Sequence, residues 1–302
     1  SIFRLDCFMD RYLQTLIIIF IFSFFISCLD QKPKSIRTLD VTLNIPERNS
    51  NSLKGSGIIP LIKDFDIKSR EDFIYSEIIS GNIPDFIRNL KEVIYYHNLD
   101  NEVIEIKFYV MIDYFSIGSN EDYFVIPMTP IIAQKLANNL ELTFLTSKMV
   151  DIVWDQAPLK LQPITIPPSE QMTSFEIFGR HNELLNQQRV QYNQEYPLGT
   201  LLAGTKKDII LSNILNDHND RVIIYGWHQT NGIPIQPVYS GHIIWYVDYS
   251  HGVRFAHPRC LINGEPKKIT DILKDNNLFF LLSNESTSIQ KTSYQTDLSF
   301  YP

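Results

Sequence analysis

The stretch from Arg221 to Arg259 constrains the fold and the function of this chain more than any other part of the sequence. It holds four of the seven histidines and two of the three tryptophans. Apolar runs of the kind that form β-strands separate these polar and aromatic residues. Because strands carry such side chains to the rim of a pocket, the stretch predicts the active or binding site of a β-rich domain.

The composition argues against a disordered chain and against a nucleic-acid partner. Of the 302 residues, 44% are hydrophobic and 20% are charged, which is enough apolar surface for a sizeable core. The formal net charge of −7 is the opposite of the basic face that nucleic-acid binding requires. We therefore expect a small-molecule, glycan or peptide ligand and no nucleic acid.

The first 28 residues have the organisation of a signal peptide. Arg11 precedes the apolar run Leu13–Ile26, whose 14 residues suit the h-region of a signal peptide and are short for a membrane span. The residues Phe25, Ile26, Ser27 and Cys28 resemble the lipobox of bacterial lipoproteins. The resemblance implies export, lipidation of Cys28 and a membrane anchor in the bacterial envelope; an uncleaved signal anchor is the alternative.

Three further regions follow the signal peptide. Residues 29–57 are polar and contain Pro33, Pro46 and a Gly-Ser-Gly run, which predicts a flexible tether. Residues 58–283 are expected to form a single domain, and residues 284–302 a loose C-terminal tail rich in Ser, Thr and Gln. Helix signals concentrate in the first two-thirds of the domain, and strand signals follow. This order predicts an α+β fold with a mostly antiparallel sheet.

Local signals locate individual elements of the domain. Capping residues and periodic apolar positions predict helices over Glu71–Ile79, Ile131–Asn139, Ser147–Gln156 and about Thr173–Tyr192. Apolar runs predict strands over Arg221–Trp227, Ile243–Asp248 and Leu278–Leu282, the first of them central. The dipeptides Asn231-Gly232 and Asn263-Gly264 predict hairpin turns because they suit positive φ angles.

Histidine and carboxylate side chains near the strand ends predict acid–base chemistry. His228 follows the central strand, while Asp248 and His251 flank a turn further along. An imidazole oriented by a carboxylate can activate a water or a hydroxyl group. We therefore expect His228, His251 and Asp248 to be catalytic in a hydrolase of cell-wall or extracellular glycan or peptide material. A divalent metal held by His228 and His242 is a further possibility.

Aromatic, amide and basic side chains of the same region are candidates for binding the substrate. They are Trp227, Gln236, Trp245, Tyr249, Arg254 and Lys207. If they hold a ligand without turnover, the chain is a non-catalytic binding lipoprotein, which is the alternative to a hydrolase. Asp113 and Asp151 lie in apolar surroundings and are candidate pocket carboxylates, whereas His181 on the long helix is expected to face water.

Overall fold

Residues 41–100 and 102–302, which the computed structural model describes, form an α+β fold with mostly antiparallel sheets. They belong to one unit. The predicted signal peptide, with the lipobox and Cys28, and the start of the predicted tether lie outside the described residues. In the two described ranges, we find no helix with the length and hydropathy that a bilayer crossing needs.

Side-chain caps set the start of four of the helices. Asp66, Thr129, Thr146 and Ser174 each accept a hydrogen bond from a backbone N–H in the first turn. The helices are α1 (Gly55–Ile62), α2 (Ile67–Ile79), α3 (Pro130–Asn139), α4 (Ser147–Gln156), α5 (Phe175–Val190) and α6 (Ile269–Lys274). Helix α2 begins before the expected Glu71 because Asp66 is its cap.

The strands are short apart from two long hairpins. They are β1 (Leu90–Leu99), β2 (Glu102–Met111), β3 (Ser116–Gly118), β4 (Tyr123–Val125), β5 (Thr143–Phe144), β6 (Leu159–Lys160), β7 (Leu202–Ala203), β8 (Lys207–Ile209), β9 (Arg221–His228), β10 (Pro234–Ile243), β11 (His251–Gly252), β12 (Phe255–Ala256), β13 (Arg259–Ile262) and β14 (Glu265–Lys268). One sheet has the order β14-β13-β2-β12-β5, with β1 paired to β2, and a second has the order β10-β9-β8-β11. The β8–β11 and β6–β7 pairs are parallel.

Strand β9 is the central strand of the second sheet, as its apolar sequence predicts. It pairs with β10 on one side and β8 on the other, and Val222, Ile223 and Ile224 are buried. The two predicted hairpin turns are confirmed: Gly232 has a φ of +88°, and Asn263 and Gly264 have φ angles of +49° and +80°. His228 is therefore the last residue of a strand that is paired on both sides.

Two predicted strands are wrong. Strand β10 ends at Ile243, and the chain then turns, because the N–H of Tyr246 donates to the carbonyl of Ile243 instead of joining a ladder. The segment Leu278–Leu282 contains a 3-10 helix over Phe279–Leu281, held by the local bond from the N–H of Leu281 to the carbonyl of Leu278. In both places a local turn takes the hydrogen bonds that a strand would need.

The segments at the two ends of the described chain pack against the domain. Leu43, in the second half of the predicted tether, is buried, and its N–H donates to the carbonyl of Arg88. In the predicted tail, Ile289, Tyr294 and Tyr301 are buried, and the hydroxyl of Tyr294 donates to the carbonyl of Ile210 at 2.5 Å. Apolar and aromatic side chains among the polar residues hold both segments in place, so neither is loose where it is described.

Candidate functional site

A backbone kink at the end of β9 positions the first residues of the site. Gly226 has a φ of +99°, and Trp227, which has a side chain, has a φ of +55°. A left-handed conformation costs a residue other than glycine roughly 1–2 kcal/mol. Strain of this kind persists where the surrounding structure imposes it, and it concentrates at functional sites. Here the kink interrupts the alternation of side chains between the two faces of the sheet just before His228.

His228 is held by a carboxylate of helix α4. Its Nε2 lies 2.9 Å from Oδ1 of Asp151, and the hydroxyl of Tyr225 donates to the same oxygen at 2.7 Å. The imidazole also stacks on the indole of Trp154, with 5.8 Å between the ring centroids. A carboxylate on Nε2 favours the tautomer with the proton on that nitrogen, which leaves the lone pair on Nδ1. The pair has the geometry of an oriented general base.

A small cavity lies beside His228, between α4 and β8. The space open to the centre of a water molecule is about 10 Å³, which is close to what one water needs. The polar and aromatic residues that line it are Tyr114, Trp154, Lys206, Asp208, Trp227, His228 and Arg254. The sequence placed Trp227, His228 and Arg254 in the site, and the structure brings these three together.

Several polar atoms at this cavity have no hydrogen-bond partner among the described residues. They are Nε and Nη1 of Arg254, Oδ1 of Asp208, and the indole nitrogens of Trp154 and Trp227. Arg254 is 2% exposed and Asp208 is 3% exposed, so bulk water does not satisfy these groups. Leaving a buried polar group unsatisfied costs about 1–3 kcal/mol. The cavity is therefore suited to a small polar group that accepts from the N–H donors and donates to the carboxylate.

Tyr114 contacts both Arg254 and Asp208. The guanidinium of Arg254 lies 4.5 Å from the centre of the Tyr114 ring, and its Nη2 donates to the carbonyl of Leu202 at 2.7 Å. The hydroxyl of Tyr114 donates to Oδ2 of Asp208 at 2.7 Å. Burial raises the pKa of Asp208 to about 6, although Arg254 and the Tyr114 hydrogen bond act in the opposite direction. Asp208 can therefore exchange a proton close to neutral pH.

A buried lysine forms another wall of the cavity. Lys206 is 1% exposed, and its ammonium donates to the carbonyl of Tyr249 at 2.5 Å and to Nδ1 of His181 at 3.1 Å. Burial lowers the pKa of Lys206 to about 7. His181 is itself fully buried and its Nε2 bonds to the carbonyl of Ile164. The expectation that His181 faces water is wrong, because it completes this interior network.

The structure places the other two predicted catalytic residues in a separate cluster. Asp248 Oδ1 accepts from the N–H of Ser250 at 2.7 Å and from its hydroxyl at 2.5 Å, while Oδ2 lies 3.8 Å from Nε2 of His251. The Ser250 hydroxyl is thus bound to the carboxylate and not to an imidazole, which excludes a serine activated by His251. His251 and Asp248 come together as the sequence suggested, but neither lines the cavity beside His228.

The predicted metal pair does not share a site. His228 is opposite Pro234 and His242 is opposite Val222, at the two ends of the β9–β10 hairpin. Six residues of strand correspond to about 20 Å. A zinc ion binds imidazole nitrogens at about 2 Å, so one ion cannot reach both residues. Across the residues that the structure describes, no group of three His, Cys, Asp or Glu side chains is arranged to hold a metal.

The predicted binding residues have different roles in the structure. Tyr249 is 2% exposed, its hydroxyl bonds to both the N–H and the carbonyl of Ile166, and it does not line the cavity beside His228. Trp227 is 4% exposed, which excludes it as an open platform for a sugar ring. Gln236 lies on the outer strand β10, where its amide donates to the carbonyl of Pro237, and Trp245 is partly buried against the core.

Sequence reasoning missed Asp208 and Tyr114 as residues of the site, and of the neighbouring Lys206 and Lys207 it selected Lys207. Lys206 and Asp208 belong to the charged run 206–208, which is more often a solvated surface or a local ion pair. Tyr114 reaches Asp208 across 94 residues of sequence, so no local pattern could connect them. The one available signal was the position of Asp208 directly before the apolar residues Ile209–Leu211, where a carboxylate is unusual.

Comparison with known proteins gives no relative from which a function could be carried over. The chain matches no protein-family model, no curated protein and no solved structure. What the chain does is therefore inferred from the geometry around His228 and the cavity beside it.

Proposed function

We propose that this chain is a hydrolase that cleaves an acyl bond, an ester or an amide, with His228 as the general base. One observation carries the proposal: the Asp151–His228 pair lies beside a cavity lined by Arg254 and Trp227, whose N–H groups include some without a partner among the described residues. An oriented imidazole next to pre-positioned donors is the arrangement that acyl hydrolysis requires.

The proposed reaction assigns roles to His228, Asp208, Arg254 and Trp227. Nδ1 of His228 takes a proton from a water molecule as the water oxygen attacks the acyl carbon. The oxyanion that forms accepts hydrogen bonds from the side-chain N–H groups of Arg254 and Trp227. The tetrahedral species then collapses, the bond to the leaving oxygen or nitrogen breaks, and the leaving atom receives the proton from the His228 imidazolium. Asp208 orients the attacking water through its unpaired Oδ1.

The size of the cavity favours an acyl bond over a glycosidic bond. In the proposal the acyl oxygen occupies this space of about 10 Å³ and the attacking water lies next to it, whereas a sugar ring needs far more room. Glycoside hydrolysis also commonly uses two carboxylates on either side of the scissile bond, and here a histidine lies between Asp151 and the cavity. Of the glycan and peptide materials expected from the sequence, the proposal therefore selects peptides and the acyl groups of glycans.

Hydrolysis of an activated ester and of cell-wall peptides tests this proposal. We expect wild-type protein to hydrolyse p-nitrophenyl acetate or peptidoglycan-derived peptides, and His228→Gln to lower the rate by about 10²- to 10⁴-fold. His257→Gln is the matched control, because His257 lies in the same stretch but, among the described residues, its imidazole bonds only to the backbone of Arg259. A wild-type protein that cleaves neither substrate class, or a His228→Gln variant as active as the control, would refute the proposal.

We also propose, from the sequence alone, that the protein is exported and anchored by a lipid on Cys28. This anchor would place the hydrolase at the bacterial envelope, next to cell-wall and extracellular material. Metabolic labelling with a radioactive lipid precursor compares wild type with Cys28→Ala. Label on the wild type that disappears in the variant supports the anchor, and label that survives the substitution contradicts it.

A further inference from the structure

We propose a second binding site, for an oxyanion such as a carboxylate or a phosphate, formed by His251, Lys207 and His242 beside Asp248. These residues lie outside the lining of the cavity next to His228. The inference concerns binding alone, so it stands or fails independently of the proposed hydrolysis.

His251 is the residue that most needs a partner. It is fully buried, and neither of its ring nitrogens has a hydrogen-bond partner within the described ranges. The nearest carboxylate oxygen, Oδ2 of Asp248, is 3.8 Å from Nε2, beyond hydrogen-bond distance. A histidine that served packing alone would bond at least one nitrogen, since buried polar groups are almost always satisfied.

Two further nitrogen-bearing side chains of the cluster lack hydrogen bonds in the part of the chain that the structure describes. The ammonium of Lys207 lies over the ring of Trp227, 5.3 Å from its centre, and makes no ion pair. The imidazole of His242 stacks on the ring of Tyr246, with 3.9 Å between centroids, and lies 6.4 Å from the ring of His251. Lys207, His242 and Tyr246 are partly exposed, so they mark the side from which a ligand reaches His251.

The balance of charge at this cluster favours an anion over a cation. Asp248 is its single carboxylate in the described part of the chain, and both of its oxygens already accept hydrogen bonds, from Ser250 and from the Tyr246 hydroxyl at 3.3 Å. Lys207 and the buried Lys206 both lie near Asp248 and would repel a metal ion. An oxyanion, in contrast, accepts from the Lys207 ammonium and from an N–H of His251, which are charge-assisted bonds of the strong kind.

Binding of the anion should be linked to the uptake of a proton by His251. Burial lowers the pKa of this imidazole, against the attraction of Asp248, and Lys207, His242 and Lys206 add to the lowering. A bound anion favours the charged form of His251, whose second N–H then faces Asp248. The affinity should therefore increase as the pH falls.

Titration calorimetry and the histidine NMR signals test the site, with sodium acetate and inorganic phosphate as separate probes. We expect one or both ions to bind and to shift the His251 and His242 ring resonances. Binding of acetate alone identifies a carboxylate site, phosphate alone a phosphate site, and both a general oxyanion site. If neither ion shifts these resonances at concentrations of tens of millimolar, the proposal is overturned.

Two lysine variants show whether the ion that binds lies at this cluster. Lys207→Met removes the ammonium and should weaken binding about 10- to 100-fold, the value of one charge-assisted hydrogen bond. Lys160→Met is the matched control, because the Lys160 ammonium also lies over an indole, 4.5 Å from the ring of Trp154. Equal affinities of Lys207→Met and wild type, or an equal loss in both variants, would show that the ion binds elsewhere.

Discussion

Replacement of the buried Lys206 by methionine gives a quantitative test of the polar interior. Lys206 is 1% exposed and bonds to the carbonyl of Tyr249 and to His181. Burial lowers its pKa from 10.5 to about 7. Methionine has a similar length and no charge, so Lys206→Met removes the ionisation while it retains most of the packing.

The magnitude follows from the difference in pKa between the folded and the unfolded chain. Between pH 7 and pH 10.5 the unfolded chain binds more protons, so the free energy of unfolding rises with pH. The destabilising contribution of Lys206 to the folded chain is at its full value below pH 7, and it disappears as the pH rises toward 10.5. Since one pH unit counts for at most ~1.4 kcal/mol, Lys206 alone should raise the free energy of unfolding by about 2 kcal/mol between pH 7 and pH 9.

Urea unfolding at pH 7, 8 and 9 measures this effect. We expect the free energy of unfolding of wild type to rise with pH relative to Lys206→Met, by about 2 kcal/mol over the range. The partly exposed Lys160 provides the control variant Lys160→Met, which should keep the wild-type slope. If wild type and Lys206→Met have the same dependence on pH, Lys206 is not held in the interior as described.

Two further substitutions test the site itself. Asp208→Asn removes a carboxyl group whose pKa is raised to about 6 by burial. The protonated form of this carboxyl contributes to the stability of the folded chain, and that contribution is lost as the pH rises through 6. At pH 7.5 we therefore expect a gain in the free energy of unfolding of about 1–3 kcal/mol and a loss of hydrolysis; a less stable variant would contradict the burial argument. Gly226→Ala should lower both the melting temperature and hydrolysis, because its Cβ would lie 3.3 Å from Val150 and 3.4 Å from Nδ1 of His228. Gly199 has the same φ of +99°, and a Cβ added there would have no atom within 4 Å, so Gly199→Ala measures the cost of the backbone conformation alone. An equal effect of the two variants on hydrolysis would count against the role of His228.

Much of the fold follows from signals within a few residues of sequence. Thr146 caps helix α4 over the predicted Ser147–Gln156, and Asn231-Gly232 and Asn263-Gly264 form the predicted turns. In each case the hydrogen bond or the backbone angle is set by the residue itself and its immediate neighbours. The α+β class follows in the same way, from the order of these elements along the chain.

The interior network was harder to predict because its members are distant in sequence. The site needs α4 to bring Asp151 to His228 and β8 to bring Asp208 to Tyr114, and neither contact leaves a local pattern. His181 is an exception that the spacing could have shown. It follows Phe178 by three residues and precedes Leu185 by four, which places it on the buried face of helix α5.

The most direct test of the proposed general base is the tautomer of His228 in solution. The bond from Nε2 to Asp151 at 2.9 Å predicts the tautomer with the proton on Nε2 and the lone pair on Nδ1. Long-range ¹H–¹⁵N NMR of histidine-labelled protein distinguishes the two ring nitrogens of this tautomer. A protonated Nε2 in wild type that is lost or scrambled in Asp151→Asn is the expected result. A proton on Nδ1 in wild type would mean that His228 has no lone pair to accept the proton of a water, and the proposed reaction could not proceed.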